Sequence, residues 1–288
     1  MFVITGATGR VGSAAANALL DAGAPVRVLV RSAEAAEGWR NRGADAVRVD
    51  LRDRRSLTEA LQGSAGLFAL LPFDPTADDI HAHTQALVAS IAWAVRASRV
   101  PHVAMLSSGG ADLASGTGPI ASLYALEQAL TQTGAILSAI RSGHFQEKVG
   151  DLVGVARVEG VYPVFADSAE VATPMVATSD VGRVAARALL SPPPISEAID
   201  VIGPEYTERD VAGVLGELLG RRLEVVTLPR ADWVPALVQA GLPAAAAELL
   251  AELHDADQHG LLAPRGDRTE RGATGLRPTI ARLVGVAG

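Results

Sequence analysis

Phe2-Val3-Ile4-Thr5-Gly6-Ala7-Thr8-Gly9-Arg10-Val11-Gly12 is the stretch that decides the fold. Its apolar start reads as a buried strand, and the amphipathic run Gly12–Ala22 reads as a helix. Between them lie three glycines at the spacing that carries meaning only between a strand and a helix. Gly6 permits a tight turn, Gly9 lets the backbone approach a pyrophosphate, and Gly12 lets helix and sheet pack closely. Free N–H groups at Thr8, Arg10 and Val11, with the positive end of the helix dipole, would then meet the phosphates. The alternative is a glycine turn that holds nothing. Agreement of strand, turn and helix favours the nucleotide site.

Outward from this motif, short apolar runs alternate with helical patterns. The runs are Phe2–Thr5, Val26–Arg31, Val47–Asp50, Leu67–Leu71, Val103–Ser107, Ile136–Arg141 and, last, Asp200–Ile202. Ser56–Leu61 is predicted as a helix with Ser56 and Glu59 as a capping box, and Ile80–Ser98 and Thr178–Leu190 as longer helices. Strands apolar on both faces, each followed by a helix, describe a doubly wound parallel α/β sheet of Rossmann type. Residues 150–177 lack a clean period. Helices dominate after Pro204: Thr207–Leu219 (Thr207 and Asp210 as its cap), Asp232–Ala240 and Ala244–Leu253. The stretch from Ala263 to Pro278 reads as surface chain. The division expected is a dinucleotide-binding domain over 1–203 and a smaller, mainly helical substrate-binding part over 204–288, with 150–177 contributing to the cleft. Substrate contacts are expected from 150–177 and from Trp233 to His254.

Composition narrows the function. The 288 residues are 49% hydrophobic and 20% charged, the balance of a globular enzyme. A net charge of −7 argues against nucleic acid as a partner. With no cysteine there is no disulfide, no thiolate catalysis and no Cys-ligated metal. His81 and His83 are two apart on a helix and face different sides, so no metal site is expected. No apolar run approaches a membrane span of about 20 residues, and no leader precedes the first strand, so a cytoplasmic address is expected.

Two further positions bear on the nucleotide. Arg31 ends the second strand, where the adenosine ribose should lie, and an arginine there suits a 2′-phosphate, with Arg10 able to assist. NADP(H) is therefore expected over NAD(H). The alternative for Arg31 is a solvated strand-end charge. Asp50-Leu51 ends the third strand near the expected adenine, and Asp50 either accepts from its amino group or satisfies the following turn.

Thr5–Gly12, Leu29-Val30-Arg31, Asp50-Leu51, Ser107-Ser108 and Ile140-Arg141-Ser142-Gly143-His144-Phe145 occur in an order and spacing that resemble the NmrA-like branch of the atypical short-chain dehydrogenase/reductases. The likeness is strongest to its NADPH-dependent quinone and azo-dye reductases. It continues through Asp180-Val181, Ile202-Gly203-Pro204 and Thr274-Gly275 to Pro278-Thr279. The resemblance implies a hydride-transfer site between Leu71-Pro72, Ser107, Tyr124 and the Gly143–Phe145 loop, His144 and Phe145 lining the nicotinamide pocket. Standard members of the superfamily use a serine, a tyrosine and a lysine four residues after that tyrosine. Here Gln128 stands at the lysine position. Without that ammonium, Tyr124 is expected to remain a neutral donor that polarises an oxygen; the alternative is a tyrosine that only packs. Lys148, the only lysine, stands where quinone-reductase relatives carry asparagine, and either faces the substrate or is one exposed charge near Glu147.

The resemblance thus implies an NADPH-dependent reductase of a quinone-like or conjugated carbonyl acceptor, acting as a monomer or homodimer on a small, aromatic molecule. Two alternatives stand beside it: a dinucleotide-sensing regulator without turnover, which the missing lysine would suit, and a biosynthetic reductase of a polyketide-like aromatic.

Overall fold

Ile4, at the end of strand β1 (Phe2–Ile4), is fully buried in the computed structural model, which describes residues 1–286. Helix α1 (Arg10–Asp21) follows the glycine turn, and then β2 (Val26–Val30), α2 (Ala33–Arg40), β3 (Asp45–Arg48), α3 (Arg54–Leu61), β4 (Gly66–Ala69), α4 (Ile80–Ser98), β5 (His102–Ser108), α5 (Ala121–Thr131) and β6 (Ile136–Ser142) alternate as expected. Beyond β6 come β7 (His144–Phe145), α6 (Val153–Glu159), β8 (Val161–Val164), β9 (Thr173–Val176), α7 (Thr178–Leu190) and β10 (Glu197–Ile202). The remainder holds β11 (Glu205–Tyr206), α8 (Glu208–Leu219), β12 (Glu224–Thr227), α9 (Trp233–Gln239), α10 (Ala244–Gln258), β13 (Arg268–Arg271) and α11 (Leu276–Val284).

The main sheet has eight strands in the order β13-β10-β6-β5-β4-β1-β2-β3, paired in parallel throughout. The chain runs outward from β1 through β2 to β3, then returns to the other side at β4. That reversal opens a crevice beyond the carboxyl ends of β1 and β4, where doubly wound sheets bind ligands. Helices α1 and α7 cover one face over Ile4, Val28, Phe68 and Ile140, and α3, α4 and α5 cover the other over Val3, Leu67, Val103 and Leu137. A third cluster, including Tyr162, Val164, Met175, Val211, Leu215 and Ile280, joins the region after β6 to α8 and α11.

Three local expectations need correction. Arg268–Arg271 is a strand, β13, pairing in parallel with β10, so the tail beyond 204 returns to the main sheet and the division at 203 is crossed. The cap of α3 is Asp53, whose carboxylate accepts from the N–H groups of Arg55 and Ser56 at 3.0 and 3.2 Å; Ser56 lies inside the helix. Helix α10 runs to Gln258, five residues past the expected end. The stretch 150–177 holds α6, β8 and β9, with β8 pairing with β12 and β9 lying between β7 and β11.

Candidate active site

The glycine turn is built from three backbone demands. Gly6 has φ +65°, a left-handed conformation that L side chains rarely adopt. A Cβ at Gly12 would stand 2.3 Å from the Gly6 carbonyl oxygen, so helix and turn could not close with any other residue. Gly9 differs: an added Cβ would meet only the Gly6 carbonyl, at 3.3 Å. That contact is tight, but far less so than the one at Gly12. Thr5 ties the turn to β4, its hydroxyl donating to Phe68 O at 3.1 Å and accepting from Leu70 N at 2.8 Å. Thr8, Gly9 and Arg10 are exposed, Val11 is buried in the core, and no side chain caps α1. An uncapped, glycine-lined helix start is a ready anion site.

Arg31 follows β2 directly, exposed and with no ion-pair partner among the described residues. Arg10, on the first turn of α1, is also exposed. Its guanidinium reaches the Glu147 carbonyl at 3.5 Å, in the turn that follows β7. Asp50 accepts from the backbone N–H of Arg52 at 2.9 Å and pairs with its guanidinium at 2.8 Å. These bonds, with the charge of Arg31 adding to them, hold its carboxyl below the usual range. The turn-satisfying role of Asp50 is thus the one its contacts serve, with Leu51 half-buried beside it. Leu71 and Pro72 are half-buried just past β4, on the same edge of the sheet.

At the ends of β5 and β6 the contacts differ from a serine–tyrosine–lysine set. The buried Ser107 hydroxyl donates to Glu127 Oε1 at 2.6 Å, and Glu127 holds Arg141 through bonds of 2.7 and 3.1 Å. Tyr124 is half-buried, while Gln128 points outward into solvent. Gly143 and Phe145 pass over the end of β6, Phe145 packing on the core. Glu147 is buried and accepts from Thr178 N and its hydroxyl at 3.0 and 2.6 Å, capping the start of α7. Lys148 is therefore not its partner. It is exposed, and its charge bears on His144 and His254.

At His144 the segment after β6 meets the C-terminal helices. Its Nε2 lies 3.0 Å from Asp257 Oδ1 on α10. Burial works against a charged imidazole here, but the hydrogen bond and charge of Asp257, with Glu208 behind them, more than offset it and hold the pKa above the ordinary value. One turn back on α10, His254 stacks on Phe165 with ring centroids 5.0 Å apart, and Trp233 meets it edge-on at 5.9 Å. Burial, only partly opposed by Asp257, pushes His254 down to about 4, so its ring is neutral. Phe165 comes from 150–177 and Trp233 and His254 from the C-terminal helices, the two regions from which substrate contacts are expected.

Backbone fit holds α10 over the strand ends. A Cβ at Gly118 would stand 2.1 Å from Leu249 O, and one at Gly109 2.3 Å from Leu262 O. Arg265 adds a two-bond pair with Asp112 at 2.7 and 3.0 Å. The residues that the sequence did not single out are Asp257, Glu127 and Phe165. Their only signal was an unusual one: acidic residues in otherwise apolar or alanine-rich helices, and an aromatic in a stretch without period.

Sheet order, switch point and glycine turn together define a Rossmann-type dinucleotide-binding protein. A model of the NmrA-like family matches residues 1–259, and the chain belongs to that family. Among curated proteins it is 26% identical over 255 residues to the NAD(P)H azoreductase of Xenophilus azovorans, covering 88% of this chain and 86% of that protein. It is 30% identical to the (4-alkanoyl-5-oxo-2,5-dihydrofuran-3-yl)methyl phosphate reductase of Streptomyces griseus, over 99% of this chain and 93% of the relative. The NADPH complex of the NADPH-dependent quinone oxidoreductase of Escherichia coli has the same fold, with a TM-score of 0.78 at 23% identity over 99% of this chain and 95% of that one. Among the described residues no helix is long and apolar enough to cross a membrane, and no cluster of three or more His, Asp or Glu side chains could hold a metal ion.

Proposed function

We propose that the protein is an NADPH-dependent reductase that transfers hydride to a quinone-like or conjugated carbonyl acceptor. The observation that carries this reading is the half-buried stack of Phe165 on His254, backed by the buried Trp233; His254 lies on α10, the helix whose Asp257 bonds His144 just past the end of β6. Strands lie about 4.8 Å apart, so the end of β6 stands roughly 14 Å from the glycine turn, across β4 and β5.

The residues fit a dinucleotide. The uncapped α1 and the open side of Gly9 suit the pyrophosphate, and the unpaired Arg31 suits a 2′-phosphate over a free hydroxyl. Bound there, the nicotinamide supplies hydride. Leu71, Pro72 and the Gly143–Phe145 loop flank its place at the ends of β4 and β6, and the half-buried Phe165 and His254 offer a flat, conjugated acceptor an aromatic contact. Tyr124 serves as a neutral hydrogen-bond donor. The relatives named above are reductases, and the one from Streptomyces griseus acts on an alkanoyl-oxo-dihydrofuran, a conjugated carbonyl.

A second reading, a dinucleotide sensor without turnover, is favoured by the engagement of Ser107 with Glu127 and by the outward Gln128. Consumption of NADPH with a panel of quinones, enones and azo dyes separates the two. Turnover with any of these acceptors supports the reductase, and tight NADPH binding without turnover supports the sensor.

A further inference from the structure

We propose that His144, oriented by Asp257, is the acid that delivers the proton completing reduction of the acceptor, with Nδ1 as the donating atom. The proposal rests on the reductase reading above and names its proton source. A histidine acting as acid needs a partner that fixes its tautomer, and Asp257, 113 residues away in sequence, supplies it. Asp257 engages Nε2, and among the described residues Nδ1 has no hydrogen-bond partner. His144 stands two residues past the last residue of β6, at the sheet edge where the acceptor is placed.

Of the serine–tyrosine–lysine set, the serine is engaged and the lysine is absent. The Ser107 hydroxyl is bound to Glu127, and the lysine position holds an exposed glutamine. Tyr124 can donate a hydrogen bond, and its hydroxyl has no hydrogen-bond partner among the described residues to orient it as Asp257 orients His144.

The charges around His144 favour the imidazolium. Asp257 faces it from α10, and Glu208 acts on it from the start of α8, itself held by the Tyr162 hydroxyl of β8 at 2.6 Å. Lys148, on its own segment, opposes them. His254, also on α10, is neutral above about pH 4 and does not compete as a cation for Asp257. The imidazole side chain is 37% exposed and Asp257 34%, so water can return the proton after each cycle.

The step balances. Hydride brings the acceptor two electrons and one hydrogen, leaving a negative oxygen. The Nδ1–H bond breaks, an O–H bond forms, and neutral His144 keeps its Nε2–H on Asp257.

NMR titration of the imidazoles in the cofactor-free protein tests the dyad without any turnover. His144 is expected to titrate above an ordinary imidazole, and Asp257→Asn to move it down, since burial then meets less opposition. In turnover, kcat is expected to fall as pH rises through that ionisation. Asp257→Asn shifts the fall to lower pH, and His144→Asn removes it and lowers kcat by about 10²-fold with cofactor affinity retained. An active wild type whose pH profile and kcat survive His144→Asn overturns the proposal alone. A wild type that binds NADPH but reduces no acceptor overturns the reductase reading and this proposal with it.

Discussion

The Ser107 hydroxyl lies 2.6 Å from the Glu127 carboxylate, which in turn neutralises Arg141 in a network that is almost wholly buried. Serine at the end of β5 is thereby a structural link between β5, α5 and β6. Ser107→Ala is expected to lower turnover by less than about 10-fold, since its hydroxyl is committed to Glu127 and not to the acceptor. Glu127→Gln leaves the Arg141 guanidinium buried without its counter-charge and is expected to cost about 3 kcal/mol, read from denaturant unfolding.

Gly9 and Gly12 look alike in sequence and separate in the structure. Gly12→Ala drives a methyl group into the Gly6 backbone and is expected to destabilise the fold by at least about 1–3 kcal/mol. Gly9→Ala is expected to leave the melting temperature nearly unchanged while weakening NADPH. Equal destabilisation by both changes would show that Gly9 is fixed by packing rather than kept clear for a ligand.

Arg31→Asp replaces a charge-assisted phosphate contact with repulsion. NADPH affinity is expected to fall by about 10²-fold and NADH affinity to change little. Titration of both cofactors on both proteins gives the answer, and equal losses would remove Arg31 as the discriminator.

The alternation of strands and helices was legible because both faces of the sheet are covered: α4 and α7 span the stretches their periodicity predicts, and β1, β2 and β6 differ by a residue or less at either end. Strand β13 was not, because Arg-Thr-Glu-Arg carries no apolar run. It pairs at the sheet edge and is held instead by Arg268 on Glu197 at 2.8 Å and Glu270 on Arg187 at 2.7 Å. The glycine turn was legible since its meaning lies in neighbours along the chain, and Arg31 stands directly after β2, where the sequence puts it. His144 could be placed but its partner could not. Asp257 reaches it only because Gly109 and Gly118 let α10 settle on the loop after β5, a relation that no local spacing encodes.

His254 ties pH to stability. Its folded pKa, about 4, lies below the ordinary imidazole value of 6.5, so the unfolded chain binds the proton first. The contribution of His254 is therefore complete above pH 6.5 and declines as pH falls toward about 4. His254→Phe keeps the stack on Phe165 and removes the titration. Its unfolding free energy is expected to fall less steeply than wild type over that window, and identical slopes would show that His254 is solvated.

Tyr124→Phe is expected to lower turnover by about 10- to 100-fold, the scale of one hydrogen bond to developing charge, with cofactor binding intact. Complete loss of activity would make Tyr124 the essential acid in place of a polarising donor.

The most direct test of the account is a single turnover: protein saturated with NADPH is mixed with one equivalent of a quinone or an enone, and reduced acceptor is measured against NADPH consumed. The account predicts one reduced acceptor per NADPH, with Gly9→Ala needing more NADPH to reach the same yield. Tight NADPH binding with no reduced acceptor from any member of the panel would contradict it.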